Sequence, residues 1–260
     1  MEYNKILILG VNSKIASLVV PELRFDKDRI YGISHSPELK NLTWIKRDKV
    51  FVSDYPFDQR FISTILKNLA PMAIESILVI NFAGIFGAPV NIKNFEIESV
   101  IDTLNQNMIQ FFSSLKLFSQ LPETSFFIGF SGAGVGGDNM ESSSLGYLLS
   151  KISISALIEV YDKSLKEENK RLSLIAPGAF PSDMQMIIAN APIGSISEVA
   201  RKQSQELRVD AEKVLKLSNA INWVASHPNQ SGGKIFSAQR DDLSSLPLDE
   251  RFGLLRRITT

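Results

Sequence analysis

Between Phe126 and Lys151 the chain runs FFIGFSGAGVGGDNMESSSLGYLLSK. Phe126-Phe127-Ile128 is a short apolar run of the kind that forms a buried strand. It ends at Ser131 in a glycine-rich turn, and a polar loop leads to Tyr147. From there Tyr147, Lys151, Ile154, Ile158 and Tyr161 recur at helical spacing. Residues four apart on a helix lie on one face, so the Lys151 ammonium can sit beside the Tyr147 phenol. A free phenol, with a pKa near ~10, is a poor base at neutral pH. An adjacent cation stabilises the phenolate and lowers that pKa, as proton transfer to or from an alcohol or carbonyl requires. Ser131, at the neighbouring strand end, can hydrogen-bond the same substrate oxygen. Strand end and helix start together form a candidate acid/base site. By itself a Tyr-x-x-x-Lys spacing is more often the start of an amphipathic helix, and the order of the surrounding elements has to decide.

Working outward, the composition narrows the class. The chain has 260 residues, 44% of them hydrophobic, and a mean hydropathy of +0.04, which suits one α/β domain with a substantial core. The 28 basic and 28 acidic residues cancel, so no electrostatic footprint for nucleic acid or an anionic membrane is present. Cysteine is absent, which excludes disulfides, thiolate metal sites and a cysteine nucleophile. The start, MEYNKILILG, lacks a basic leader and a long apolar core, and no run approaches the ~20 apolar residues of a membrane helix. A cytoplasmic globular protein is expected.

In chain order, Lys5–Leu9 is a continuous run of β-formers ending at Gly10, as in a central parallel strand. After the turn GVNSKIA, Ile15, Leu18, Val19 and Leu23 have helical spacing, with Pro21 expected to kink or shorten that helix. Strands are expected at Arg29–Ser34, Lys49–Val52 and Ser76–Ile80, with a helix over Phe57–Leu69. A long helix follows over Phe95–Ser119, then the strand at Phe126, the helix from Tyr147 and a strand at Arg171–Ala176 closed by Pro177-Gly178. Met184–Leu217 is mixed and polar, with two helices expected around Ala191–Gly194, before a helix at Ser218–Ser226 and a last strand at Lys234–Ala238. Strands alternating with helices predict a doubly wound parallel sheet of Rossmann type in a single domain spanning residues 1–260. Such sheets bind ligands beyond the carboxyl ends of their strands. Gly10, Asn81, Ser131 and Pro177 fall at those ends.

With these residues in place, the sequence resembles the short-chain dehydrogenase/reductase family nearly end to end. The residues that carry the resemblance, in order, are the Gly10 turn, Asn81-x-Ala83-Gly84, an asparagine on the long helix, Ser131, Tyr147-x-x-x-Lys151 and Pro177-Gly178-x-x-x-Ser182. The resemblance implies that Tyr147 is the general acid/base, that Lys151 lowers its pKa and holds the nicotinamide ribose, and that Ser131 orients the substrate oxygen. Asn107, with Asn105 as competitor, matches the helix asparagine that supports Lys151 through a water. Around the cofactor it implies Gly10, Asn12, Ser13, Lys14 and Ile15 in the first turn, Ser34 after the second strand, and Asp54 against adenine. Asn81, Ala83 and Gly84, then Tyr147 and Lys151, and finally Pro177, Gly178 and Ser182 beside the nicotinamide complete that set.

The sequence also departs from the family. Its first turn keeps one glycine, Gly10, with Lys14 and Ala16 at the two other glycine positions; Lys14 can supply charge to phosphates. Ser34-His35-Ser36 stands where an acidic residue would bind the ribose of NAD, so NADP is favoured slightly over NAD, with His35 equally a plain loop histidine. No metal site is visible, with two histidines and no clustered carboxylates. The 16 residues from Ser131 to Tyr147 include a glycine run that is a flexible turn or room for a polyhydroxylated substrate. Ser231–Ala238 and the tail with Arg256 and Arg257 are similar to members acting on sugars or surface polysaccharides. The expected activity is interconversion of a secondary alcohol and a ketone, with 182–214 a substrate lid and a homodimer or homotetramer formed through the long helices. An epimerase or dehydratase with retained NAD, and a non-catalytic dinucleotide sensor, are the rivals.

Overall fold

A computed structural model of the protein describes residues 3–39, 42–69, 76–89, 93, 96–132 and 145–243. The glycine run after Gly132 and the tail with Arg256 and Arg257 lie outside the described residues. The core of the fold is a seven-stranded sheet whose strands are β1 (Lys5–Leu9), β2 (Ile30–Ser34), β3 (Val50–Val52), β4 (Ile77–Asn81), β5 (Phe126–Phe130), β6 (Arg171–Ala176) and β7 (Ile235–Ser237). Their spatial order is β3-β2-β1-β4-β5-β6-β7, and every neighbouring pair is parallel. The continuous apolar runs of β1 and β4 follow from this placement. Both strands are central and covered on both faces, so neither face can carry polar residues at alternate positions.

Two hydrophobic clusters mark the two faces. On one, Ile6, Ile8, Leu78, Ile80 and Ile128 pack against Ala16 and Val19 of α1 (Lys14–Val19) and against Leu217, Ile221 and Val224 of α7 (Ala211–Ser226). On the other, Leu7, Leu9, Val79 and Phe127 pack against Ile62 and Ile65 of α2 (Gln59–Leu69), Phe111 and Phe118 of α3 (Ile97–Ser119), and Ile154 and Ile158 of α4 (Leu145–Lys166). Alternation along each strand sends successive side chains to opposite layers, which makes the sheet doubly wound.

The elements depart from the sequence reading in few places. Pro21 sits in a 3₁₀ turn over Val20–Glu22 that ends α1 after six residues, the expected shortening. The α4 helix begins at Leu145, ahead of Tyr147, so the pair Tyr147 and Lys151 lies within its first two turns. Between β6 and α7 two helices, α5 (Asp183–Ala189) and α6 (Glu198–Glu206), flank the Ala191–Gly194 turn as expected. The helix expected at Ser218 starts instead at Ala211. Asp210 caps it, its carboxylate accepting from the amides of Glu212 and Lys213. The short α8 (Pro228–Ser231) leads into β7. No helix among the described residues is long and apolar enough to cross a membrane.

Candidate active site

The site is built on the carboxyl ends of β1, β2, β4, β5 and β6. Gly10 leaves β1 at φ 77°, a conformation favouring glycine, and a Cβ there would lie 2.8 Å from the Ala83 nitrogen. The first turn and the β4 turn therefore meet backbone to backbone. The Asn12 amide donates to Ser34 Oγ at 3.1 Å and to the Glu38 carbonyl at 3.0 Å, tying the first turn to the end of β2. Its Oδ1 is buried with no donor among the described residues. At the end of β4, Asn81 Oδ1 accepts from Ala83 N at 2.9 Å and Nδ2 donates to Ser114 Oγ at 3.2 Å. Asn81 thus shapes the turn that Ala83 and Gly84 occupy.

Tyr147 and Lys151 project from α4 toward that turn. Lys151 Nζ donates to the Phe130 carbonyl at 3.0 Å and lies 5.6 Å from the centre of the Tyr147 ring. The Tyr147 ring packs on Phe86, centre to centre 5.3 Å. Asn107 is buried on α3, whereas Asn105 is exposed. Asn107 Oδ1 accepts from Ile85 N at 2.9 Å, and Nδ2 donates to Ile85 O at 2.9 Å and Ser150 Oγ at 3.1 Å. It clamps the β4 turn, α3 and α4 together. A Cβ added to Gly84 would sit 3.6 Å from Asn107 Oδ1 and 3.7 Å from Lys151 Nζ. All these elements border one cavity of about 690 Å³, lined by Gly10, Asn12, Ser13, Lys14, Ile15, Ser34, Ala83, Gly84, Ser131, Tyr147, Lys151, Pro177, Gly178 and Ser182.

Solved structures share this fold. A short-chain dehydrogenase/reductase from Saccharomyces cerevisiae superposes with a TM-score of 0.74 at 21% identity, covering 93% of this chain and 98% of its own. The chain has the fold of the short-chain dehydrogenases/reductases. The ligand-free aldohexose dehydrogenase of Thermoplasma acidophilum has a TM-score of 0.65 at 16% identity, over 90% of this chain and 92% of its own. NADPH-bound carbonyl reductase from chicken fatty liver has a TM-score of 0.68 at 13% identity, over 92% and 98%. No protein-family model and no curated protein matches the sequence.

Within the short-chain dehydrogenase/reductase fold, three expected residues stand differently from the sequence reading. Asp54 is exposed and does not line the cavity, while its neighbour Tyr55 does. Asn81 is buried behind the turn rather than on the cavity wall. Ser131 is on the wall, but its hydroxyl lies 3.1 Å from that of Ser155 in α4, both of them buried. Sequence reasoning also missed Gln106, Gln110 and Phe86 on the wall. Gln110 stands one turn beyond Asn107 on α3, and helical spacing from Asn107 was signal enough to find it. Its Oε1 is buried with no donor among the described residues. His35 lines the cavity mouth, and His227 lies outside it, its Nδ1 2.8 Å from the Trp223 carbonyl.

The electrostatics of the pair reverse the expectation drawn from its spacing. Burial pushes the Tyr147 phenol up to about 12 and the Lys151 ammonium down to about 8. Desolvation penalises the charged form of each group. The lysine nitrogen is directed at the Phe130 carbonyl, so its attraction for a phenolate does not offset that penalty. Tyr147 is therefore held neutral.

Proposed function

We propose that this chain is a nicotinamide-dependent oxidoreductase of the short-chain dehydrogenase/reductase type, interconverting a secondary alcohol and a ketone. The observation that carries this reading is the convergence of Tyr147 and Lys151 on a cavity that extends from the Gly10 turn to Pro177-Gly178. The residues fit a dinucleotide. Asn12 Oδ1 and Gln110 Oε1 are two buried acceptors without donors on residues of that wall, and adenosine offers hydroxyl and amine donors. Lys14 is an exposed cation at the first turn, suited to phosphates. When bound, the nicotinamide supplies or accepts the hydride.

The chain's own groups provide position and the proton. Tyr147, neutral at physiological pH, gives its phenolic proton to the carbonyl oxygen during reduction and takes it back during oxidation. Lys151 holds its nitrogen 5.6 Å from the centre of the ring that becomes a phenolate, and Asn107 fixes the β4 turn and α4 relative to each other. NADP is the favoured cofactor. At the β2 end the cavity offers Lys14 and His35, with no carboxylate among the described residues that line it there. A sugar or nucleotide sugar is the first substrate class to test. Met184, Gln185 and Ile188 of α5 and Ala200 of α6 line the cavity, which supports 182–214 as a lid that closes over substrate. Exposed Ile101, Ile109 and Phe112 on α3 and Leu149 on α4 favour pairing of copies through these helices.

Titrating the protein with NADPH and NADH, following the fluorescence of the reduced nicotinamide with Lys14→Ala in parallel, tests the reading. Saturable binding, tighter for NADPH and weakened in the variant, is expected. Failure of both to bind at millimolar concentration overturns it. Copurified, tightly held NAD would point to an epimerase instead, and binding without turnover across a panel of alcohols and ketones to a sensor.

A further inference from the structure

Two residues leave the carboxyl end of β5 beside α4, and they face different neighbours. The Ser131 side chain meets Ser155, hydroxyl to hydroxyl at 3.1 Å, deep in the packing between β5 and α4. Gly132 faces the reactive pair: a Cβ built on it would lie 3.0 Å from the Tyr147 hydroxyl, 2.8 Å from Lys151 Cγ and 3.1 Å from Lys151 Cβ. Successive residues of an extended chain point to opposite sides, so one strand end cannot turn both positions toward the phenol.

We infer that Gly132, rather than Ser131, is the strand-end residue that sets the reactive geometry: its missing side chain is the space in which the Tyr147 hydroxyl and the Lys151 stem meet, while Ser131 ties β5 to α4. The inference rests on the oxidoreductase reading of Tyr147 and Lys151. Lys151 cannot step aside cheaply for a side chain at 132. Its backbone is fixed in α4, and its Nζ is fixed on the Phe130 carbonyl at 3.0 Å. A methyl group at 132 therefore displaces the lysine stem, breaks that hydrogen bond, or pushes the phenol off its position. Gly132 is a positioning residue, acting through Lys151 and Tyr147. Among the described residues, no hydroxyl from the end of β5 then faces the oxygen that Tyr147 serves.

Three variants decide it: Gly132→Ala, Ser131→Ala and Ser155→Ala. For each, the pH dependence of Lys151 acylation is followed by mass spectrometry, beside NADPH titration, thermal midpoint and kcat for ketone reduction. Gly132→Ala is expected to move the Lys151 titration up from its lowered midpoint toward that of an ordinary lysine, and to cut kcat by about tenfold or more. Ser155→Ala, away from the cavity wall, is expected to lower the thermal midpoint while leaving the Lys151 titration unmoved and kcat within about twofold of the parent. Ser131→Ala is expected to lower the midpoint alike and to cost less in kcat than Gly132→Ala. A Ser131→Ala loss of about tenfold or more in kcat, with NADPH affinity intact and a midpoint matching Ser155→Ala, overturns the inference. So does a Gly132→Ala protein whose Lys151 titration and kcat match the parent. Should the parent neither bind NADPH nor reduce ketones, the oxidoreductase reading fails by itself, and the acylation profiles still decide what Gly132 does.

Discussion

In the proposed reaction Tyr147 carries the proton, and burial holds its phenol protonated. With the phenol pushed up to about 12, it can donate to a carbonyl oxygen throughout the neutral range, and its removal should show in kcat rather than in cofactor affinity. Tyr147→Phe is expected to cut kcat by ~10²–10⁴-fold, the usual worth of a positioned acid or base, with the NADPH dissociation constant little changed. A variant that keeps full turnover would remove Tyr147 from the mechanism. Lys151 carries a second prediction. Its pKa of about 8 in the folded chain lies below the ~10.4 of a free lysine. Between those values the unfolded chain binds a proton that the folded chain has released, so this group's contribution to stability rises with pH across that window. The full rise is on the order of 3 kcal/mol. Urea unfolding of the parent and of Lys151→Met from pH 7 to 10.5 should show the parent gaining on the variant above pH 8, whereas parallel curves would refute a Lys151 pKa lowered by burial. The Tyr147–Lys151 pairing was legible because four residues are one turn of helix. The partner of Ser131 was not, because the sequence marks a strand end without saying which way its last side chains point.

At the scale of elements, the strands were read within a residue or so of their bounds, since central parallel strands are continuous apolar runs. The start of α7 was missed although its signal is present. Asp210 is a good cap, and Val214, Leu217 and Ile221 behind it keep helical spacing. The contact joining α4 to β6 was invisible in the sequence. Asp162, near the end of α4, accepts from Arg171 Nε at 3.0 Å, Arg171 Nη2 at 2.8 Å and the Leu172 amide at 2.9 Å. Both side chains are largely buried, 12% exposed for Arg171 and 8% for Asp162. A Cβ on Gly232 would fall 2.2 Å from Arg171 Nη2, so that glycine makes room for the guanidinium. Asp162→Ala leaves a buried guanidinium without its partner and should cost about 3–5 kcal/mol in urea unfolding. The double variant Asp162→Leu/Arg171→Met should recover much of that loss, because the pair's mutual attraction mainly offsets its own desolvation. A single variant as stable as the parent would show that the pair does not hold β6 to α4.

At the scale of the whole molecule, the order β3-β2-β1-β4-β5-β6-β7 reverses direction between β1 and β4, and the cavity opens over the carboxyl ends of these strands. Alternation of strands and helices in the sequence implied such a sheet, and the residues at strand ends pointed to the end where its cavity lies. The lining contributed by α5 and α6 was legible only as a segment, because a mixed polar stretch does not reveal which of its side chains turn inward. Since the wall draws on the turns after β1, β2, β4, β5 and β6 together with α5 and α6, a dinucleotide that spans it binds a surface the unfolded chain does not possess, and must stabilise the fold as a unit. At a free NADPH concentration about 100 times its dissociation constant, the gain is ~2.7 kcal/mol. For a domain of this size each kcal/mol raises the midpoint by about 2–4 °C, so a shift of roughly 5–11 °C is expected in a thermal scan. The 2′-phosphorylated adenosine half alone, 2′,5′-ADP, reaches only the β1, β2 and β3 end and should give a smaller shift at the same multiple of the NADPH constant. Equal shifts from the fragment and the whole cofactor would mean that the end near Tyr147 contributes nothing to binding. A midpoint unmoved by millimolar NADPH would mean that the cavity serves some other ligand.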